Sequence, residues 1–180
     1  MITLIYGGSS SGKSSYAEDY VCKSNYKNKY YLATMVPYDE ESKERVKRHR
    51  DLRAGKDFVT LEHSVDIKDA IPEVLTVDSG DFSTDSRLSQ EDIILLECMS
   101  NLVANEMFRD GQVFPSDYCI KKIMEDVKEL HQKVKNIVIV TNNVFEDSAE
   151  YDEAPRPDHC TALLSECQKI ERFFQVPCNP

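Results

Sequence analysis

The sequence predicts an α/β fold, a mostly parallel sheet with helices on both faces. Three observations predict it. Short apolar runs at 2–5, 93–96 and 137–140 have the character of buried strands, the run at 93–96 being continuous as in strands buried on both sides. Segments of helical spacing separate them, most clearly Ile120, Ile123, Met124, Val127, Leu130 and Val134. The first apolar run also passes through a Gly/Ser-rich turn straight into a helical segment, the order expected of a parallel unit.

Taken in order, Ile2, Leu4 and Ile5 make the first strand, and Tyr16, Ala17, Tyr20 and Val21 fall on one face of the first helix. Between them, Gly7-Gly-Ser-Ser-Ser-Gly-Lys-Ser-Ser15 reads as G-x-x-x-x-G-K-[ST], with Gly7, Gly12, Lys13 and Ser14 in register. Glycine lets a loop wrap a polyphosphate and aim its N–H groups inward, and the helix that follows presents unpaired donors and a favourable dipole. Gly7, Gly8, Ser9, Ser10, Ser11, Gly12, Lys13, Ser14 and Ser15 are therefore candidate nucleotide-binding residues, with Lys13 on the β/γ-phosphates and Ser14 on Mg²⁺. The sheet is thus expected to be P-loop NTPase-like.

Residues 29–34 read as a second strand, 39–53 as a charged helix ended by Ala54-Gly55, and 58–62 as a third strand. Residues 65–74 suggest a short helix interrupted near Pro72, and 78–86 a mobile polar loop. The run at 93–96 leads into Glu97 and a helix through Phe108; Pro115-Ser116 opens the amphipathic helix; 137–140 ends at Thr141-Asn142. Residues 145–158 read as an acidic loop and 158–174 as a last helix. Ligands in such sheets sit at the carboxyl ends of the strands, so the phosphate loop, Thr34, Glu97 and Thr141-Asn142 are expected to face one cleft.

With 180 residues the chain is expected to be one domain over 1–180. A formal charge of −10, with no basic stripe outside 43–53, argues against nucleic acid as a partner. No apolar run is long enough to span a membrane and no signal peptide is legible, so a cytoplasmic protein is expected. The six cysteines form no C-x-x-C and do not pair with the four histidines at ligand spacing, so free thiols, several of them buried, are expected rather than zinc.

On the helix at 39–53, Glu41, Arg45, His49 and Arg53 follow at four-residue intervals and share a face, with Arg48 and Arg50 flanking the histidine in sequence. Neighbouring guanidinium groups favour neutral imidazole, the nucleophilic form, and could hold the phosphate it attacks. Spacing alone favours the plainer reading, a solvated helix of Glu–Arg pairs with a bystander histidine. Glu97, directly after a buried strand, is a candidate for handling Mg²⁺, or else a strand-end residue capping the next helix. His63 and His131 read as surface residues, and Cys98, Met99 and Met107 as helix packing.

With these residues in view, the chain resembles the bifunctional adenosylcobinamide kinase/adenosylcobinamide-phosphate guanylyltransferase of cobalamin biosynthesis. The phosphate loop followed by Ala17-Glu18 is similar to that family's G-G-x-x-S-G-K-S loop and A-E dipeptide. Tyr31-Leu-Ala-Thr34, Glu44-Arg-Val-Lys-Arg-His-Arg-Asp-Leu-Arg53, Leu95-Leu-Glu-Cys-Met-Ser-Asn-Leu-Val-Ala-Asn105 and Val140-Thr-Asn142 resemble its other blocks, in order, over about residues 2–144. The resemblance implies that His49 becomes guanylylated, that Lys13, acting in catalysis, and Ser14 hold the nucleotide phosphates and Mg²⁺, and that Glu97 sits beside the nucleotide, reading the guanine or helping with Mg²⁺. It places Thr34, Arg45, Arg53, Glu62 and Glu97 with the loop among the nucleotide-binding residues. ATP and GTP would be substrates, a corrinoid the acceptor, and the assembly a homotrimer. Late in the chain, Asn142-Asn-Val-Phe-Glu-Asp-Ser-Ala-Glu-Tyr-Asp152 and Ser165-Glu-Cys-Gln168 depart from the better-known pattern of N-E-V-G-x-G-[IL]-V-P and G-x-x-N-Q. A P-loop kinase of another small hydroxylated molecule and an inactive nucleotide-binding paralogue are the alternative readings.

Overall fold

A computed structural model describes residues 1–8, 10–70, 92–134 and 136–142. The elements are β1 (Ile2–Gly7), α1 (Lys13–Cys22), β2 (Asn28–Ala33), α2 (Glu40–Arg53), β3 (Phe58–Glu62), a 3₁₀ turn (Ile67–Ala70), β4 (Asp92–Glu97), α3 (Met99–Met107), α4 (Ser116–Lys133) and β5 (Asn136–Asn142). The expected loops at 78–86 and 145–158 and the helix at 158–174 lie outside the described residues, as does Ser9.

The described strands form one parallel five-stranded sheet in the order β1-β5-β4-β2-β3. Strand register explains why the apolar runs are continuous. Leu32, Leu96 and Ile139 line up on one face, where α3, α4 and the 3₁₀ turn supply Met99, Leu102, Ile123, Leu130 and Ile67. Tyr31, Leu95 and Val138 line up on the other, against Ala17 and Val21 of α1.

Which helix covers which face follows from handedness. The connections β1→β2 and β2→β3 run one way across the sheet, while β4→β5 runs back. Right-handed crossovers then put α1 and α2 on one face and α3 and α4 on the other. The two directions part at β1, β5 and β4, so the crevice opens above those strands.

Two local expectations are corrected. In α1 the buried stripe is Ala17, Glu18 and Val21, whereas Tyr16 is 63% and Tyr20 39% exposed. The helix turns its two small apolar residues and a carboxylate to the sheet, because Lys56 Nζ meets Glu18 Oε2 at 2.8 Å and removes the cost of burying it. His63 and His131 are half-buried rather than on the open surface. Among the cysteines described, Cys98 and Cys119 are buried free thiols and Cys22 is half-buried; burial pushes Cys98 up to about 11.

Candidate active site

The phosphate loop is built for an anion by what it lacks. Helix α2 has a full N-cap: the Asp39 side chain accepts from Ser42 N–H, Ser42 reaches back to the Asp39 N–H, and Glu40 and Glu41 stand in the first turn. Helix α1 has none of this. Its N-cap is Gly12, no side chain caps it and its first turn holds no acidic residue, so its first N–H groups remain available. Gly12 takes φ +84°, the left-handed region open to glycine, and nothing lies within 4 Å of where a Cβ would stand. Backbone conformation, not crowding, therefore selects glycine there. Lys13 Nζ donates to Gly8 O at 3.1 Å, lying back across the loop, and Ser11 N–H bonds Gly8 O at 3.3 Å.

Glu97 ends β4, two strands from β1, yet α1 packs across β1, β5 and β4 and brings Ser14 to it. Ser14 Oγ donates to Glu97 Oε1 at 2.7 Å, while Oε2 is buried without a hydrogen-bond partner. Burial raises the Glu97 carboxyl above its ordinary range; the Ser14 hydrogen bond and the Lys13 charge pull the other way. A hydroxyl beside a carboxylate with an open buried oxygen is a hard-oxygen donor set that fits Mg²⁺. Asp66, Glu106 and Asp126 form the other acidic group among the described residues. Lys122 already occupies its centre, at 2.7, 2.5 and 3.1 Å from the three carboxylates, with Arg109 on Asp66, so that group is an ion network holding α3 and α4 to the 3₁₀ turn.

Thr34 is buried at the end of β2, its Oγ1 exchanging hydrogen bonds with Cys98 N–H and O, each at 2.8 Å. Thr141 is buried and Asn142 N–H donates to Ser100 Oγ at 3.1 Å, so the ends of β2, β4 and β5 are bonded together beside the loop, but Thr34 and Thr141 are wholly buried rather than facing a cleft.

The second group gathers around α2. Arg50 pairs with Glu62 at the end of β3. The Arg53 guanidinium lies 3.5 Å above the Tyr31 ring and is buried, with Nε and Nη1 unpartnered. Two of the arginines expected around the imidazole thus tie α2 to the sheet, and a groove of about 310 Å³ between Arg50, Arg53, Phe58 and Thr60 opens beside them. His49 stands half-buried on α2, one turn before Arg53 and so ~6 Å nearer the carboxyl ends of the strands, because α2 runs antiparallel to them. Arg45 lies a further turn along α2; its side chain falls outside what the structure describes. Tyr31 sits between the groups, under the charges of both Glu97 and Arg53, with its phenol pushed up chiefly by burial. The roles of Tyr31 and of buried Glu18 were missed in the sequence, although both stand in quoted blocks.

The model of the family described as cobinamide kinase / cobinamide phosphate guanyltransferase matches residues 3–156. No curated protein matches. Among solved structures, the RadB recombinase is similar at 13% identity and TM-score 0.42, over 92% of this chain and 70% of that one. The flagellar accessory protein FlaH from Methanocaldococcus jannaschii is similar at 15% identity and TM-score 0.37, over 92% and 67%. The family match spans most of the chain, from within β1 to beyond β5, and the chain belongs to the cobinamide kinase / cobinamide phosphate guanyltransferase family.

Proposed function

We propose that this chain carries out both reactions of its family on adenosylcobinamide, as one nucleotide-binding domain acting in the cytoplasm within a homotrimer. The carrying observation is the Ser14–Glu97 pair, with its open buried oxygen, beside an uncapped helix N-terminus and Lys13.

In the first step the corrinoid's hydroxyl oxygen attacks the γ-phosphorus of ATP or GTP. The bond to the β-phosphate oxygen breaks, the nucleoside diphosphate leaves, and the hydroxyl proton is lost. The loop N–H groups and Lys13 hold the phosphates in line; in the free protein Lys13 rests on Gly8 O, from which it is released to an incoming phosphate. Bound Mg²⁺, held by Ser14 and Glu97, would offset charge developing on the phosphate oxygens.

In the second step a nitrogen of neutral His49 attacks the α-phosphorus of GTP and pyrophosphate leaves. The phosphate made in the first step then attacks the His49-bound phosphorus, the P–N bond breaks and adenosylcobinamide-GDP forms. Supporting this reading is the position of His49 on α2, one turn nearer than Arg53 to the carboxyl ends of the strands. Arg45, Arg53 and Glu62 complete the proposed nucleotide contacts; Thr34, expected among them, is wholly buried with its polar atoms bonded to Glu97, Cys98 and Asn105, and supports the site from beneath.

Incubation with GTP labelled on the α-phosphate tests it. The wild type is expected to take up label that survives base and is lost in acid, and His49→Ala to take up none. Phosphorylation of cobinamide without label would leave a kinase alone; nucleotide binding with neither reaction would leave an inactive paralogue.

A further inference from the structure

Asn105, on α3, makes a connection that the backbone ladders do not. Its Nδ2 donates to Thr34 O at 2.7 Å and to Ser64 O at 3.0 Å. A carboxamide nitrogen carries two hydrogens, and both serve carbonyls in different loops, one leaving β2 and one leaving β3. The opposite orientation of the amide would set its oxygen against two carbonyl oxygens, so the contacts define it.

Each loop so held leads toward α2. Thr34 is locked on its other side to β4, its N–H on Glu97 O at 3.0 Å and its hydroxyl on Cys98. Five residues on, Asp39 caps α2. On the other loop, His63 N–H bonds Ala33 O at 3.0 Å, and Glu62 just before it holds Arg50 of α2. The set makes no bond to Lys13 or Ser14 themselves; it meets them at Glu97, whose main-chain O takes Thr34 N–H and whose side chain takes Ser14, and which the β4 ladder holds independently of Asn105.

We propose that Asn105 is a positioning residue for guanylyl transfer. It fixes the loops after β2 and β3, and with them the root of α2, against α3, and so sets where His49 stands relative to the bound triphosphate. The inference rests on the reading of His49 as nucleophile. A misplacement of ~1 Å in such an attack costs ~10²-fold in rate. Transfer of the γ-phosphoryl, which depends on the loop and Glu97, is expected to be far less sensitive.

The test is a single-turnover comparison of wild type and Asn105→Leu, which removes both donors at similar volume. The rate of GMP labelling of His49 from α-labelled GTP is expected to fall at least ~10-fold, with cobinamide phosphorylation and GTP affinity within ~3-fold of wild type. Equal loss of both rates, or labelling at the wild-type rate, would overturn the proposal. Should Asn105→Leu not fold, Asn105→Ala, which removes the donors without adding charge or bulk, is read the same way. Hydrogen exchange separates failure of this inference from failure of the His49 reading. A wild type that phosphorylates cobinamide without taking label refutes the latter. Faster exchange of amides 40–53 with α1 unchanged then still supports the clamp, and unchanged exchange in α2 overturns it.

Discussion

Replacing Glu97 by Gln should make the ligand-free protein more stable and the enzyme worse. Glu97 Oε1 accepts from Ser14 at 2.7 Å, and Oε2 is buried with no partner. Glutamine has the same shape: its oxygen retains the Ser14 bond and a neutral amide replaces the orphaned, ionisable oxygen. A buried unsatisfied group costs about 1–3 kcal/mol, more when charged. The amide leaves its own donors unpaired, so the expected gain is near the lower end, about 1 kcal/mol, or ~2–4 °C in Tm for a chain of this size. The gain depends on pH. Because burial raises the carboxyl above its ordinary 4.5, the folded protein retains a proton that the unfolded chain releases. The stability contributed by the protonated form is complete below that ordinary value and is lost as pH rises through the folded one. The gap between Glu97→Gln and wild type should therefore be smallest below the ordinary carboxyl value and widen as pH rises above it. Thermal melts in chelator, without nucleotide, measure it, and cobinamide kinase assays with Mg²⁺ should show kcat down by ~10²–10³-fold. A Gln variant that melts below wild type at the alkaline end, or by the same margin at both ends, would falsify the account of Oε2 as strained in the free protein.

Other expectations follow from the same contacts. Lys13→Ala should leave Tm within about 1 °C, since Lys13 makes one hydrogen bond to a loop carbonyl, and weaken ATP binding at least ~10-fold by calorimetry. Gly12→Ala should cost about 1–2 kcal/mol through its positive φ, whereas Gly7→Ala should cost less, because its Cβ would meet only the tip of Ser11 at 2.8 Å, which can rotate away; urea titration of both ranks them. Lys122→Met should cost about 3–5 kcal/mol by leaving buried Glu106 and Asp126 without their shared cation, read as a lower urea midpoint at unchanged slope.

Much of the fold was legible because its signals are local. The runs at 93–96 and 137–140 had the character of strands buried on both faces, and the charged run from Asp39 marked out α2. The face of α1 was misjudged because periodicity counts Tyr16 and Tyr20 as apolar and Glu18 as polar. Which residues turn inward depends on Lys56, thirty-eight positions from Glu18 in sequence. Arg53 illustrates the same limit: spacing put it beside His49, but only the ring of Tyr31 on a neighbouring strand explains why it is buried.

By itself the sequence determined the phosphate loop, the alternation of strands and helices, and the family, since each is carried by residues adjacent in the chain or at one helical or strand period. Only the tertiary structure decided that β5 lies between β1 and β4, that Ser14 reaches Glu97 eighty-three residues away, and that Asn105 joins the loops after β2 and β3. Strand order and cross-sheet hydrogen bonds are settled by how whole faces pack, and no local pattern encodes which distant partner each face will meet.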